Sequence, residues 1–276
     1  MGLSRRGLLT ALVNGGVGLI AGGVTYGAAH ERHRLELTTT ELSVSGLDRA
    51  HDGIRIAFLT DIHHSALVPA ADVERAVRLA LSAAADLIVL GGDFVTFGDK
   101  RFVEPMAQLL RPLDAPHGVF AVIGNHDDDR VVPAALGRNG FAVLLDTWTR
   151  VVIRNSPLDI GGIRFWTRRA DQVARALRGV GPTVLLVAHD PRRLREAAAL
   201  NVGGVLSGHT HGGQVVLPGI GALAARKFPV ASGLTQRENT SMFVSRGIGT
   251  VYAPERIGCP PEVSIVTLRR KAGFLG

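Results

Sequence analysis

The chain has 276 residues, 46% of them hydrophobic and 20% charged, which is enough to bury a core without covalent staples. Its single cysteine, Cys259, excludes an internal disulfide framework and a thiolate-built metal site. The formal charge of +7 is carried almost wholly by arginine, a balance that suits anionic substrates or a phospholipid surface or simply reflects arginine-rich composition. No basic run interleaves with aromatics, so specific nucleic-acid binding is not expected.

Arg5 and Arg6 precede a stretch without charge from Gly7 to Ala29. This opening, "SRRGLL" followed by a Gly-rich apolar run, looks like a twin-arginine export signal, with Leu8 where that pattern favours Phe. The resemblance implies contact with the twin-arginine translocation machinery and a place in the cell envelope, exported across or anchored in the cytoplasmic membrane. An ordinary signal peptide or an uncleaved anchor fits the same residues, and "YGAAH" around Ala28 and Ala29 is a passable cleavage site. Residues 1–34 therefore read as signal or anchor, and residues 35–276 as one domain.

That domain opens on "LELTTTELSVSGL", which alternates as a strand with Leu35, Leu37, Leu42 and Val44 apolar. Five apolar runs follow, each ending in polar residues: "GIRIAFLTDIHHS" in Asp61 and His63, "ADLIVLGGD" in Asp93, "HGVFAVIGNHD" in Asn125 and His126, "PTVLLVAHD" in His189, and "VGGVLSGHTHGG" in His209 and His211. Helical patterns lie between them. Residues 69–84 put Val73, Val77 and Leu81 on one face, and 103–113, 170–180 and 190–200 complete the set, the last with Asp190 as cap and Pro191 at the first helical position. From Gln214 onward "QVVLP", "TSMFVSRGIGT" and "PEVSIVTLRR" read as strands closing a second sheet. Alternating strands and helices predict an α/β layered domain, whose ligands gather beyond the carboxyl ends of the strands. All five polar clusters fall there.

Asp61 and His63 are two residues apart, as are His209 and His211, so an extended backbone would point each pair at one side. Each histidine of the second pair can serve a different ion if a group such as the Asp93 carboxylate bridges the two. Imidazole and carboxylate donors without thiolate suit Mn, Fe, Zn, Co or Ni rather than a calcium cage. Any one of these residues alone would more often be a helix cap, a turn residue or a hydrogen-bonded core histidine.

The ordered series "DIH", "GGD", "GNHD", "AHD" and "GHTH" resembles the calcineurin-like metallophosphoesterases, whose pattern is D-x-H, G-D, G-N-H-[DE], H and G-H-x-H. It spans residues 61 to 211, and "PPE" at 260–262 is similar to the bacterial exported branch. The resemblance implies a four-layer α-β-β-α sandwich of two mixed sheets and a centre of two divalent transition-metal ions. One ion would take Asp61, His63 and His211, the other Asn125, His189 and His209, with Asp93 shared. A bridging hydroxide would attack phosphorus, His126 would act as acid, and Asp127 would orient His126 by a hydrogen bond. The implied substrate is a phosphate-containing small molecule or lipid: a phosphodiester, a phosphomonoester or a pyrophosphate. A membrane-anchored pyrophosphatase acting on a lipid-linked or nucleotide-sugar substrate, and a binding protein that keeps the metals without turnover, are the alternatives. His30, His33, His51 and His117 are expected in solvent, and His64 at the cleft wall. Arg168 or Arg169 is a candidate contact for substrate phosphate, or part of a solvated basic loop.

Overall fold

A computed structural model describes Asn14, residues 22–181 and residues 183–271. Arg5 and Arg6, and with them most of the export segment, lie outside the described residues. No helix among the described residues is long and apolar enough to cross a membrane.

Among the described residues, twelve strands form two six-stranded sheets. The first runs in the order β1 (Glu36–Val44), β12 (Glu262–Arg270), β2 (Arg55–Leu59), β3 (Leu87–Leu90), β4 (Val119–Ala121), β5 (Ala142–Val143). The second runs β10 (Gly233–Arg237), β11 (Thr240–Val244), β9 (Gly204–Ser207), β8 (Val184–Ala188), β7 (Ser156–Ile163), β6 (Thr147–Ile153). Both are mixed: β2 to β5 are parallel but β12 meets β2 antiparallel, while β7, β8, β9 and β11 are parallel and flanked by antiparallel β6 and β10.

Three apolar layers hold the sandwich together. Phe58, Val89, Val122, Ile160, Val187 and Leu206 pack between the sheets. Outside the first sheet, helices α1 (Ala70–Ser82), α2 (Val103–Leu110) and α3 (Val131–Arg138) bury Val73, Met106 and Leu136 against Leu59 and Leu90. Outside the second, α4 (Ala170–Ala176) and α5 (Leu194–Ala199) bury Val173 and Leu194 against Leu186 and Val205. Helices on the outer face of each sheet make the four-layer α-β-β-α arrangement.

The inner strands are apolar on both faces because both are covered, which makes them the easiest elements to read. Several local expectations need correction. Ala80 rather than Leu81 completes the buried face of α1, with Leu81 partly exposed. Strand β12 enters the first sheet between β1 and β2 instead of closing the second. "QVVLP" forms only isolated bridges, Val215 to Ile257 and Leu217 to Gly221, because Gly213 and Gln214 turn the backbone left-handed ahead of it. Helix α3 adds to the helices expected; Pro133 lies in its first turn, where the missing N–H costs no bond. The β6–β7 hairpin turns on Arg154 and Asn155, both at positive φ, without the glycine that usually marks such a turn. His51 is fully buried with Nε2 3.1 Å from the Ser156 carbonyl, and is not solvated.

Candidate metal centre

Strands β2, β3 and β4 of the first sheet and β8 and β9 of the second end at one place, and the five polar clusters meet there. Asp61, His63, Asp93, His189 and His211 are all buried, and His209 and Asn125 are partly so. His63 Nε2 lies 3.1 Å from His211 Nε2 and 3.5 Å from Asp93 Oδ2. His211 Nε2 is 3.3 Å from Asp61 Oδ1, and His189 Nε2 is 3.1 Å from Asp93 Oδ2 and 3.8 Å from Asp61 Oδ1. Ligand atoms of Asp61, His63 and His211 fall within 4.8 Å of one another, as do those of Asp93, His189 and His209. His63, Asp93 and His126 form a third such group.

The backbone reaches this convergence differently from the expectation. Asp61, His63, Asp93, His209 and His211 have φ values of 54, 50, 55, 71 and 51°, so each sits in the left-handed region and not on an extended strand. Non-glycine residues held there store strain that the surrounding structure must offset, a habit of functional sites. Glycines supply the space. A Cβ on Gly124 would lie 2.0 Å from Asp93 Oδ1, and one on Gly208 would lie 2.3 Å from Asp61 Oδ2.

The far nitrogen of each buried imidazole is tied down. His189 Nδ1 is 2.7 Å from the Gly91 carbonyl, His211 Nδ1 is 3.3 Å from that of Gly249, and His63 Nδ1 is 3.3 Å from Thr96 Oγ1. Placing the proton on Nδ1 of His189 and His211 leaves Nε2 bare and aimed into the centre, the arrangement that metal-binding histidines use. His189 Nε2 makes no hydrogen bond despite its burial, and Asn125 Oδ1 is likewise buried without a partner among the described residues.

Electrostatics point the same way. Burial pushes His63 and His209 down to about 3 and His211 well below its ordinary value, so these imidazoles are neutral. Burial would also lower His189, but Asp93 and Asp61 outweigh it and hold this one imidazole up at about 10. Burial raises Asp61 to about 6, helped by Asp93 and opposed by His189. The buried carboxylates thus demand positive charge beside His189 Nε2, and an ion bound there in place of a proton would supply it. The neutral nitrogens, paired carboxylates and unpartnered Asn125 oxygen fit a pair of divalent ions, without fixing which element.

His126 and Asp127 lie beside this cluster in different roles. His126 N–H donates to Asp93 Oδ1 at 2.8 Å, and its ring meets His63 edge-on at 4.9 Å. Asp127 does not orient His126. Its carboxylate instead accepts the backbone N–H groups of Asp93 and Phe94 at 2.8 Å and of Gly124 at 2.9 Å, stitching the loops after β3 and β4 together. Phe97 takes the orienting part: its backbone N–H donates to His126 Nδ1 at 3.0 Å. No side-chain pattern announces a main-chain donor, so this partner is not legible before folding. His64 is buried, bonded to the Val68 carbonyl and packed on Phe102, away from the cleft. Arg168 lies over the Trp166 and Phe165 rings at 4.6 and 5.2 Å, while Arg169 pairs with Asp171.

Residues 54–213 match the family described as Calcineurin-like phosphoesterase, more than half of the chain. Uncharacterized metallophosphoesterase YkuE of Bacillus subtilis is 27% identical, covering 96% of each chain. Phosphodiesterase YaeI of Escherichia coli is 29% identical over 78% of this chain and 82% of its own. A metallophosphoesterase of Aquifex aeolicus is 32% identical over 79% of this chain and 86% of its own. The matched span covers every strand end that feeds the centre, so the chain belongs to the calcineurin-like phosphoesterase family and is a phosphate ester hydrolase of the kind that works with two divalent metal ions.

Proposed function

We propose that this protein hydrolyses phosphodiesters at the cell envelope. The observation that carries the chemistry is the convergence of three bare Nε2 atoms on two buried carboxylates. Asp61, His63 and His211 would hold one ion, Asn125, His189 and His209 the other, with Asp93 between them. Such ions supply charge neutralisation for the phosphoryl oxygens and acidify water.

The chain's own residues do the rest. Because His126 Nδ1 accepts the Phe97 N–H, the neutral ring carries its proton on Nε2. That N–H can donate a hydrogen bond to the departing oxygen and steady the charge developing on it as the P–O bond breaks. A pure binding protein has no use for a donor held this way, which favours turnover. The printed name of the Escherichia coli relative supports a diester over a monoester.

The location rests on the opening residues: Arg5 and Arg6 ahead of an uncharged run. Residues 22–29 are helical, and a Cβ on Gly27 would lie 2.7 Å from the Arg256 carbonyl. A segment packed so closely on the domain supports retention as an anchor over cleavage after Ala29. The experiment is hydrolysis of bis-p-nitrophenyl phosphate by protein loaded with manganese, beside His126→Ala. A loss of about 10²–10³-fold with both ions still bound is expected from removing the donor; an unchanged rate refutes the role of His126 in the transition state. Replacing Arg5 and Arg6 with Lys in a reporter fusion should abolish export.

A further inference from the structure

A cleft of about 500 Å³ opens directly from the metal centre, with His209 and His211 in its wall. That volume falls in the range of small-molecule sites. Val215, Leu217, Phe228 and Tyr252 make its lining largely apolar. Apart from the two histidines and Lys227, the polar side chains in the wall are already committed within the protein. Gln214 Nε2 donates to the Ala253 carbonyl at 3.0 Å and its Oε1 accepts the Val251 N–H at 3.3 Å; Thr210 Oγ1 donates to the Ala231 carbonyl. A nucleoside base or a sugar entering here would lose water and gain little beyond the Lys227 ammonium, whereas methylenes would lose nothing.

The rim adds a second observation. Phe97 and Tyr252 are 64% and 78% exposed, stand 5.5 Å apart and flank the His126 ring. Trp166, also exposed, packs against Phe165, which packs on His209. Arg168 and Lys227 cover aromatic faces here and have no carboxylate partner within 4.0 Å among the described residues. Exposed aromatics interleaved with free cations suit the boundary between lipid headgroups and acyl chains. Gly27, close to the end of the uncharged N-terminal run, packs on Arg256 and Ile257, a few residues beyond Tyr252.

Taking the phosphoesterase reading as given, we propose that this cleft holds the hydrocarbon chain of an amphiphilic phosphate ester whose phosphate lies in the metal centre. The test is a series of p-nitrophenyl alkyl phosphates from methyl to hexyl, below their micelle concentrations, with p-nitrophenyl thymidine 5′-phosphate beside it. We expect kcat/KM to rise about threefold per methylene, roughly 200-fold over the five added methylenes, with the nucleoside ester no better than methyl. Leu217→Asn and Ala224→Asn, on separate stretches of the wall, should flatten the rise, read as the ratio of hexyl to methyl kcat/KM within each variant. Calorimetric binding of methyl-, butyl- and octylphosphonate should show the same dependence on chain length. A flat series in wild-type protein, or a rise untouched by both variants, overturns the proposal. Failure to hydrolyse even the methyl ester would strike the phosphoesterase reading instead, and the phosphonate titration would still judge the cleft.

Discussion

Replacing Gly124 with alanine should disable the centre through a single methyl group. The added Cβ would stand 2.0 Å from Asp93 Oδ1 and 2.6 Å from Asp93 Cγ, where ordinary contact begins at 3.4 Å. Relief by movement of the oxygen alone requires 3.4 − 2.0, or about 1.4 Å, while ligand distances tolerate roughly 0.2 Å. The backbone cannot yield cheaply either, since Gly124 N–H is bonded to Asp127. We expect about 1–3 kcal/mol lost from stability and at least 10²-fold from kcat, with metal content falling below two ions per chain. Gly137→Ala is the matched control: nothing lies within 4 Å of its Cβ, and it sits in α3, so stability should hold or rise by up to about 1 kcal/mol. Elemental analysis, thermal unfolding and bis-p-nitrophenyl phosphate hydrolysis read all three quantities. Gly124→Ala protein holding two ions at the wild-type rate would refute the placement of Asp93 as the shared ligand.

Asp127→Asn turns an NH₂ group toward backbone donors that need an acceptor; it should cost about 1–3 kcal/mol by thermal unfolding and weaken metal binding 10–100-fold in chelator competition. Asp159 lies far from this chemistry. The Arg150 guanidinium, bonded at 2.7 and 2.9 Å, holds its carboxyl below the ordinary range despite burial. A carboxyl depressed in the folded state contributes stability above its unfolded value near 4, and that contribution is lost as pH falls through the folded one. Wild type should therefore shed about 1–2 kcal/mol more than Asp159→Asn between pH 5 and 3, with activity at neutral pH unchanged. Stripping both ions with a chelator should lower Tm by about 10–20 °C relative to protein with each ion at 100-fold its Kd, and readdition should restore it.

The sequence by itself determined the candidate donors and their order. Chemistry restricts which side chains can hold borderline cations, so Asp61, His63, Asp93, His189, His209 and His211 stand out wherever the fold puts them. It also determined the inner strands, because a strand covered on both faces must be apolar throughout, as "LIVL" and "VLLVA" are. Tertiary structure decided what depends on backbone shape and distant partners. The left-handed turns that aim Asp61 and His211 carry no residue-type signature, since glycine occupies the neighbouring positions to make room and not the turning positions themselves. Asp127 was placed by three N–H groups from two loops rather than by its neighbour His126, and β12 joined the first sheet because its partners β1 and β2 lie more than 200 residues earlier in the chain. Side-chain chemistry is local and can be read in order; hydrogen bonds to main-chain atoms and pairing across the chain become visible only once the fold has brought the partners together.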